Sequence, residues 1–166
     1  MTESKPLEIL KQAMLLETRG RAFYSNVANN SSNSAVKEFF RGMAEEESRH
    51  LEILAQQYKN YEEQGRFIGS DATKETSGVT SFVLSEDLKD KIAAAEFEAA
   101  AISAAILMEE RAIELYSRRA GETQDANEKA LYGWLAAWEK EHHDCLAKID
   151  KEVTQRIWSD SHFWPF

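Results

Sequence analysis

One internal repeat limits what this chain can fold into more than any other feature. Glu17, Glu47 and His50 recur as Glu109, Glu139 and His142 at a constant offset of 92 residues (109 − 17 = 92), and Tyr24 recurs as Tyr116 at the same offset. Each half offers a lone Glu and then a Glu-x-x-His. In both halves these polar residues interrupt stripes that are otherwise apolar. The chain must therefore fold so that two copies of one helical pair bring their polar interruptions to a common place.

The stripes are helical, with spacings of three and four. The first helix is expected to start near Pro6, a residue suited to a helix's first turn. Its inner face reads Leu10, Ala13, Glu17, Gly20, Tyr24, Val27, and it should stop within 29–34. The second reads Val36, Phe39, Phe40, Met43, Glu47, His50, Leu54, Tyr58 and fades near Glu63. Residues 64–84 lack helical period and hold three of the seven glycines, which makes a long connection. Within it, 78–84 has some strand character. Ser85 is expected to cap a short segment, 86–94. The third helix reads Ile102, Ala105, Ile106, Glu109, Ala112, Ile113, Tyr116, with Gly121 as its expected stop. Asp125 and Glu128 fit a variant capping box. The fourth reads Leu131, Leu135, Trp138, Glu139, His142, Leu146, Ile149, Val153. The expected fold is all-α, a four-helix bundle with one long crossover between helices 2 and 3. An aromatic C-terminal tail follows, in which Trp158, Phe163, Trp164 and Phe166 should fold back on the bundle or meet a second subunit.

Composition removes whole classes of function. The formal charge is −9 and no basic cluster is present, which argues against nucleic acid or an anionic membrane as partner. Cys145 is the single cysteine, so neither an internal disulfide nor a Cys-x-x-Cys metal centre can form. With a polar start at 1–6 and no signal-peptide core, the expectation is a cytoplasmic protein of one domain, 1–166.

Buried carboxylates without partners are costly, and four together repel. Two divalent cations would neutralise four carboxylates, and two neutral imidazoles would complete the ligand set. Positions i and i+3 share a helix face, so each Glu-x-x-His can reach one point. Hard oxygens with imidazole suit iron, with manganese or zinc as alternatives; no thiolate is offered. One Glu-x-x-His among 22 glutamates would mean little, but two at the offset shared by a lone Glu and a Tyr mean more. Glu46, Glu110, Glu141 and His143 lie one position from these residues and are expected beside the site or in solvent. Tyr24 and Tyr116, two turns past the lone glutamates, are read as hydrogen-bond partners of ligating carboxylates, with a redox relay as the other reading. Cys145 is read as a packed small residue, and Trp134 and Trp138 as core or interface.

Glu17 with Phe23-Tyr24, then residues 43–50 (Met-Ala-Glu-Glu-Glu-Ser-Arg-His), resembles the rubrerythrin branch of the ferritin-like superfamily. Glu109 with Leu115-Tyr116, and Glu139 with His142, repeat the pattern. The resemblance covers roughly 7–153 and implies a ferritin-like bundle with a non-haem di-iron centre. It also implies Glu17, Glu47, His50, Glu109, Glu139 and His142 as ligands, and reduction of hydrogen peroxide or oxygen. Two departures matter. The rubredoxin-like domain of many members is not expected here, so electrons are expected from a separate donor. Ile106 stands one turn before Glu109, where those members carry an extra carboxylate. Ser48 replaces the haem-binding Met that bacterioferritins often carry, so no haem is expected. The alternatives are ferroxidase activity with iron storage or delivery, and a non-enzymatic metal-stabilised binding module. A homodimer is the expected assembly.

Overall fold

The structure is a computed structural model that describes residues 4–78, 86–93 and 96–160. Five α-helices lie within those residues: α1 (Lys5–Asn30), α2 (Ser34–Gln64), α3 (Glu86–Ala93), α4 (Glu96–Glu122) and α5 (Ala126–Asp160). The architecture is all-α, a ferritin-like bundle of the four long helices, with the short α3 leading into α4.

The helix ends follow local chemistry. Pro6 lies in the first turn of α1. Asn33 caps α2 by accepting from the N–H groups of Ala35 and Val36, an arrangement worth about 1 kcal/mol. α2 ends at Gly65, which adopts φ +68 and is thereby free of the strain a side chain would bring. Gly121 is not the stop of α4. The helix runs through it to Glu122, and the Thr123 N–H closes the last turn on Arg119 O at 3.0 Å. Asp125 caps α5, accepting from Asn127 N at 2.8 Å and Glu128 N at 3.0 Å. The reciprocal half of a capping box does not form. The Glu128 carboxylate instead takes Arg119 at 2.6 and 2.9 Å, together with the Thr123 hydroxyl. A buried ion pair across the α4–α5 turn outcompetes the local cap.

The core is two apolar layers with a polar layer between them. One holds Tyr24, Phe39, Phe40, Ile102, Leu146 and Ile149; the other holds Leu10, Leu54, Tyr116, Leu131, Leu135 and Trp138. Glu17, Glu47, His50, Glu109, Glu139 and His142 fall between them along every long helix and are all buried. The order of layers also gives direction. α2 and α4 both run from the Phe40 layer to the other, so they are parallel, and the chain between them must travel the length of the bundle.

That connection is tied down at several points. The Gln57 amide bonds both ways to Ile68 backbone, at 2.6 and 3.0 Å. Asn127 donates to Phe67 O at 3.2 Å, and Trp134 donates to Glu75 O at 2.9 Å. A 3₁₀ turn, Asp71–Lys74, interrupts the stretch expected to be irregular. The strand character proposed for 78–84 and the capping role of Ser85 fall outside the described residues, apart from Gly78, which is not in a strand. The aromatic tail from 161 also lies outside them. Trp158 belongs to the last turns of α5 and is 60% exposed, so at that residue the tail does not fold back.

Candidate metal centre

Helical phase places the polar layer. Glu47 and His50 stand one turn apart on α2, as do Glu139 and His142 on α5, while α1 and α4 each bring one Glu. The six side chains converge in two groups, Glu17–Glu47–His50–Glu139 and Glu47–Glu109–Glu139–His142. In each, one ligand-type atom per residue lies within 4.8 Å of all the others. Glu47 and Glu139 belong to both groups, so one can stand between two ions while the lone Glu and the His of each group serve one ion apiece.

Both imidazoles turn the same nitrogen inward. His50 Nδ1 lies 2.8 Å from Glu139, 3.3 Å from Glu17 and 3.7 Å from Glu47. His142 Nδ1 lies 3.3 Å from Glu139, 3.5 Å from Glu109 and 3.5 Å from Glu47. His142 Nδ1 and both Glu139 oxygens are buried without a hydrogen-bond partner. Native interiors rarely leave such atoms unsatisfied, and a bound cation is a partner that would satisfy them. The donor set fits a pair of divalent cations in both charge and chemistry.

The protonation pattern tells the same story. Burial, and then the charges of Glu47 and Glu139, push the Glu17 and Glu109 carboxyls well above their ordinary range. Burial opposes ionisation of Glu139 and Glu47 as well, but the neighbouring imidazoles hold Glu139 down, and a hydrogen bond with Glu17, followed by the imidazoles, holds Glu47 down. Both histidines are raised against their burial by the carboxylates around them. Without cations the layer must recruit protons to reach neutrality.

The tyrosines cross between halves. Tyr24 donates to Glu109 Oε1, and Tyr116 donates to Glu17 Oε1. Burial and the adjacent carboxylates push both phenols up, so they stay protonated donors.

Glu46 plays a larger part than its position beside the stripe suggested. Its Oε2 lies 2.6 Å from His142 Nε2 and accepts from Trp138 Nε1 at 2.7 Å and Ser77 Oγ at 2.7 Å. Despite burial, the His142 bond brings its carboxyl down to about 2. Such a carboxylate fixes the tautomer and orientation of a ligating imidazole. The repeat does not keep this residue: the counterpart of position 46 is Trp138. His50 has no such carboxylate. Its Nε2 is buried without a partner, and its ring meets Trp134 and Trp138 edge-on at 5.5 and 5.0 Å.

The other neighbours stay outside. Glu110 and His143 form a surface pair at 3.3 Å. Cys145 is buried, its thiol pushed up to about 12 by desolvation, as suits a packed small residue. Ile106 packs against the Phe40 layer, so no carboxylate stands one turn before Glu109. His162 lies outside the described residues.

The rubrerythrin family model matches residues 8–150. The chain belongs to the rubrerythrin family. Searches of curated proteins and of solved structures gave no match. Family membership and the two ligand groups together support a di-metal oxidoreductase as the general function of this rubrerythrin. Among the described residues, no helix is long and apolar enough to cross a membrane.

Proposed function

We propose that this rubrerythrin is a di-iron peroxidase, which reduces hydrogen peroxide, or oxygen, with electrons from a separate donor. The observation that carries the reading is the sharing of Glu47 and Glu139 by both ligand groups, which suits a bridged pair of ions. In this reading Glu17 and His50 hold one iron, Glu109 and His142 hold the other, and Glu47 and Glu139 lie between them. Carboxylate oxygens and imidazoles favour iron, with manganese and zinc as the alternatives. When bound, a pair of irons supplies two electrons at adjacent centres.

The protein's own part is to position and to protect. Tyr24 and Tyr116 steady the two lone carboxylates through their hydroxyls, each from the opposite half of the chain. Glu46 keeps His142 Nε2 protonated, so that Nδ1 is free to face inward. The apolar layers above and below close off the carboxylates along the length of the bundle. The buried thiol of Cys145 is kept from competing as a nucleophile.

The test is anaerobic loading with Fe(II) followed by one equivalent of hydrogen peroxide. Rapid loss of peroxide, with oxidation of both irons seen in the near-ultraviolet and by Mössbauer spectroscopy, is the expected result. Slow oxidation at the rate of free Fe(II) would refute the proposal.

A further inference from the structure

A cavity of about 160 Å³ opens between α1 and α4 and reaches Glu17, Glu47, Glu109 and Glu139. A single water needs roughly 10–15 Å³, and an apolar cavity of about 150 Å³ holds benzene. Part of this space, among the four carboxylates, is what two ions would occupy, and hydrogen peroxide or oxygen, with two heavy atoms each, would take only part of the rest. The walls are apolar, formed by Leu16, Gly20, Met108 and Ala112. Arg19 and Arg111 line it too, and they are exposed where the four carboxylates are buried, so they form its mouth.

The two arginines stand at the offset of the internal repeat, one on each side of the opening. Among the described residues neither makes an ion pair. Arg49 pairs with Glu75 and Arg156 with Asp90. In a chain of net charge −9, these two guanidiniums without ion pairs flank one opening that leads to buried carboxylates. Planar guanidinium groups match carboxylates in geometry and charge.

We propose that the α1–α4 cavity takes a hydroperoxide bearing a carboxylate on a short apolar chain. Arg19 and Arg111 hold the carboxylate at the mouth, and the chain lies along Leu16 and Met108. The hydroperoxide end then reaches the buried carboxylates. The inference rests on the peroxidase reading and narrows its substrate class. The reaction is ROOH + 2 e⁻ + 2 H⁺ → ROH + H₂O. The O–O bond breaks and its oxygens are reduced; the electrons come from the same separate protein donor and the protons from water.

Binding is tested by calorimetry on the oxidised, iron-loaded protein with hexanoate, acetate and 1-hexanol. Hexanoate should bind at least tenfold more tightly than either of the others. The double variant Arg19→Gln/Arg111→Gln should lose at least tenfold in hexanoate affinity with its melting temperature unchanged, since both side chains are exposed. Hexanoate affinity no better than that of acetate, or insensitive to the double substitution, overturns the proposal. A second arm compares kcat/KM for 6-hydroperoxyhexanoate with that for hydrogen peroxide. The ratio should exceed one in the parent protein and fall at least tenfold in the double variant, through KM. Hydrogen peroxide turnover with no such discrimination overturns the substrate class alone. Failure to turn over either hydroperoxide overturns the peroxidase reading, and the substrate class with it.

Discussion

The two halves of this chain build the same inner layer and different surroundings for it. On one side, His142 is gripped from behind by Glu46, which also takes Trp138 and Ser77. On the other, the repeat puts Trp138 where Glu46 would be, and the outer nitrogen of His50 meets only aromatic edges and no hydrogen-bond acceptor. The repeat would thus supply a symmetric ligand set, and the difference at one paired position would make two ion sites unequal. A carboxylate behind an imidazole raises its basicity and fixes its orientation. The His142 site should therefore bind its ion more tightly than the His50 site.

The largest expected effect treats both halves alike. Glu17, Glu109, His50 and His142 all have raised pKa values in the metal-free protein. Loading two divalent cations must expel whatever protons these four groups hold, so binding should release protons. Affinity should fall steeply as pH is lowered, and titration in buffers of differing ionisation enthalpy measures the count. Stability follows the same sign. The raised groups support the metal-free fold fully below their ordinary values of 4.5 and 6.5, and that support fades as pH rises through their folded values. Glu47 and Glu139, held down, support the fold above their ordinary 4.5 and lose that support as pH falls below it. The rise in Tm on metal loading should therefore grow from pH 5 to pH 8.

Glu139→Ala should come next, because Glu139 serves both ligand groups. Elemental analysis after loading should find well under one ion per chain where the parent holds two. Retention of two ions would break the shared-carboxylate arrangement. The metal-free fold should survive, since the substitution removes a buried charge.

Glu46→Gln sharpens the contrast between halves. It should weaken one of the two ions by about 10- to 100-fold and leave the other nearly unchanged. Two separated binding steps in a metal titration are the signature, whereas equal weakening of both would show the halves to be equivalent. Trp138→Phe, which deletes the indole N–H but keeps an aromatic ring near His50, should move neither step by more than about threefold.

Gly20→Ala should do least. A Cβ there would meet the Glu47 carboxylate carbon at 3.4 Å, an ordinary contact, and the second half already carries Ala at the matching position 112. A gain of about 0.5–1 kcal/mol from a stiffer unfolded chain is expected in urea unfolding.

Much of this was legible in the sequence because the determinants are periodic. The stripes through Leu10 to Val27 and Val36 to Leu54 specify helices and their buried faces at once, and the constant offset picked out the six side chains that the fold brings together. What escaped depended on contacts distant in the chain. Nothing near Glu128 announces that Arg119 and Thr123 will claim its carboxylate and leave the capping box half made. Ser70 caps the Asp71–Lys74 turn locally, but the ties that order the connection as a whole come from Gln57, Asn127 and Trp134 on other elements. Glu46 stands beside the site, as its phase implies, but its partner was not legible: helical phase gives a direction, and only the packed neighbour shows that His142 stands there.

Glu46 does one thing more. The Ser77 hydroxyl and the Gly78 N–H both donate to it, so the side chain that steadies His142 also anchors the crossover. Whatever alters the charge on that imidazole, from filling of the inner site to a change in its oxidation state, alters how strongly the strap is held at 77–78. The bundle thus has a built-in wire from its interior to its surface. Limited proteolysis next to that anchor should report, from outside, whether the inside is filled.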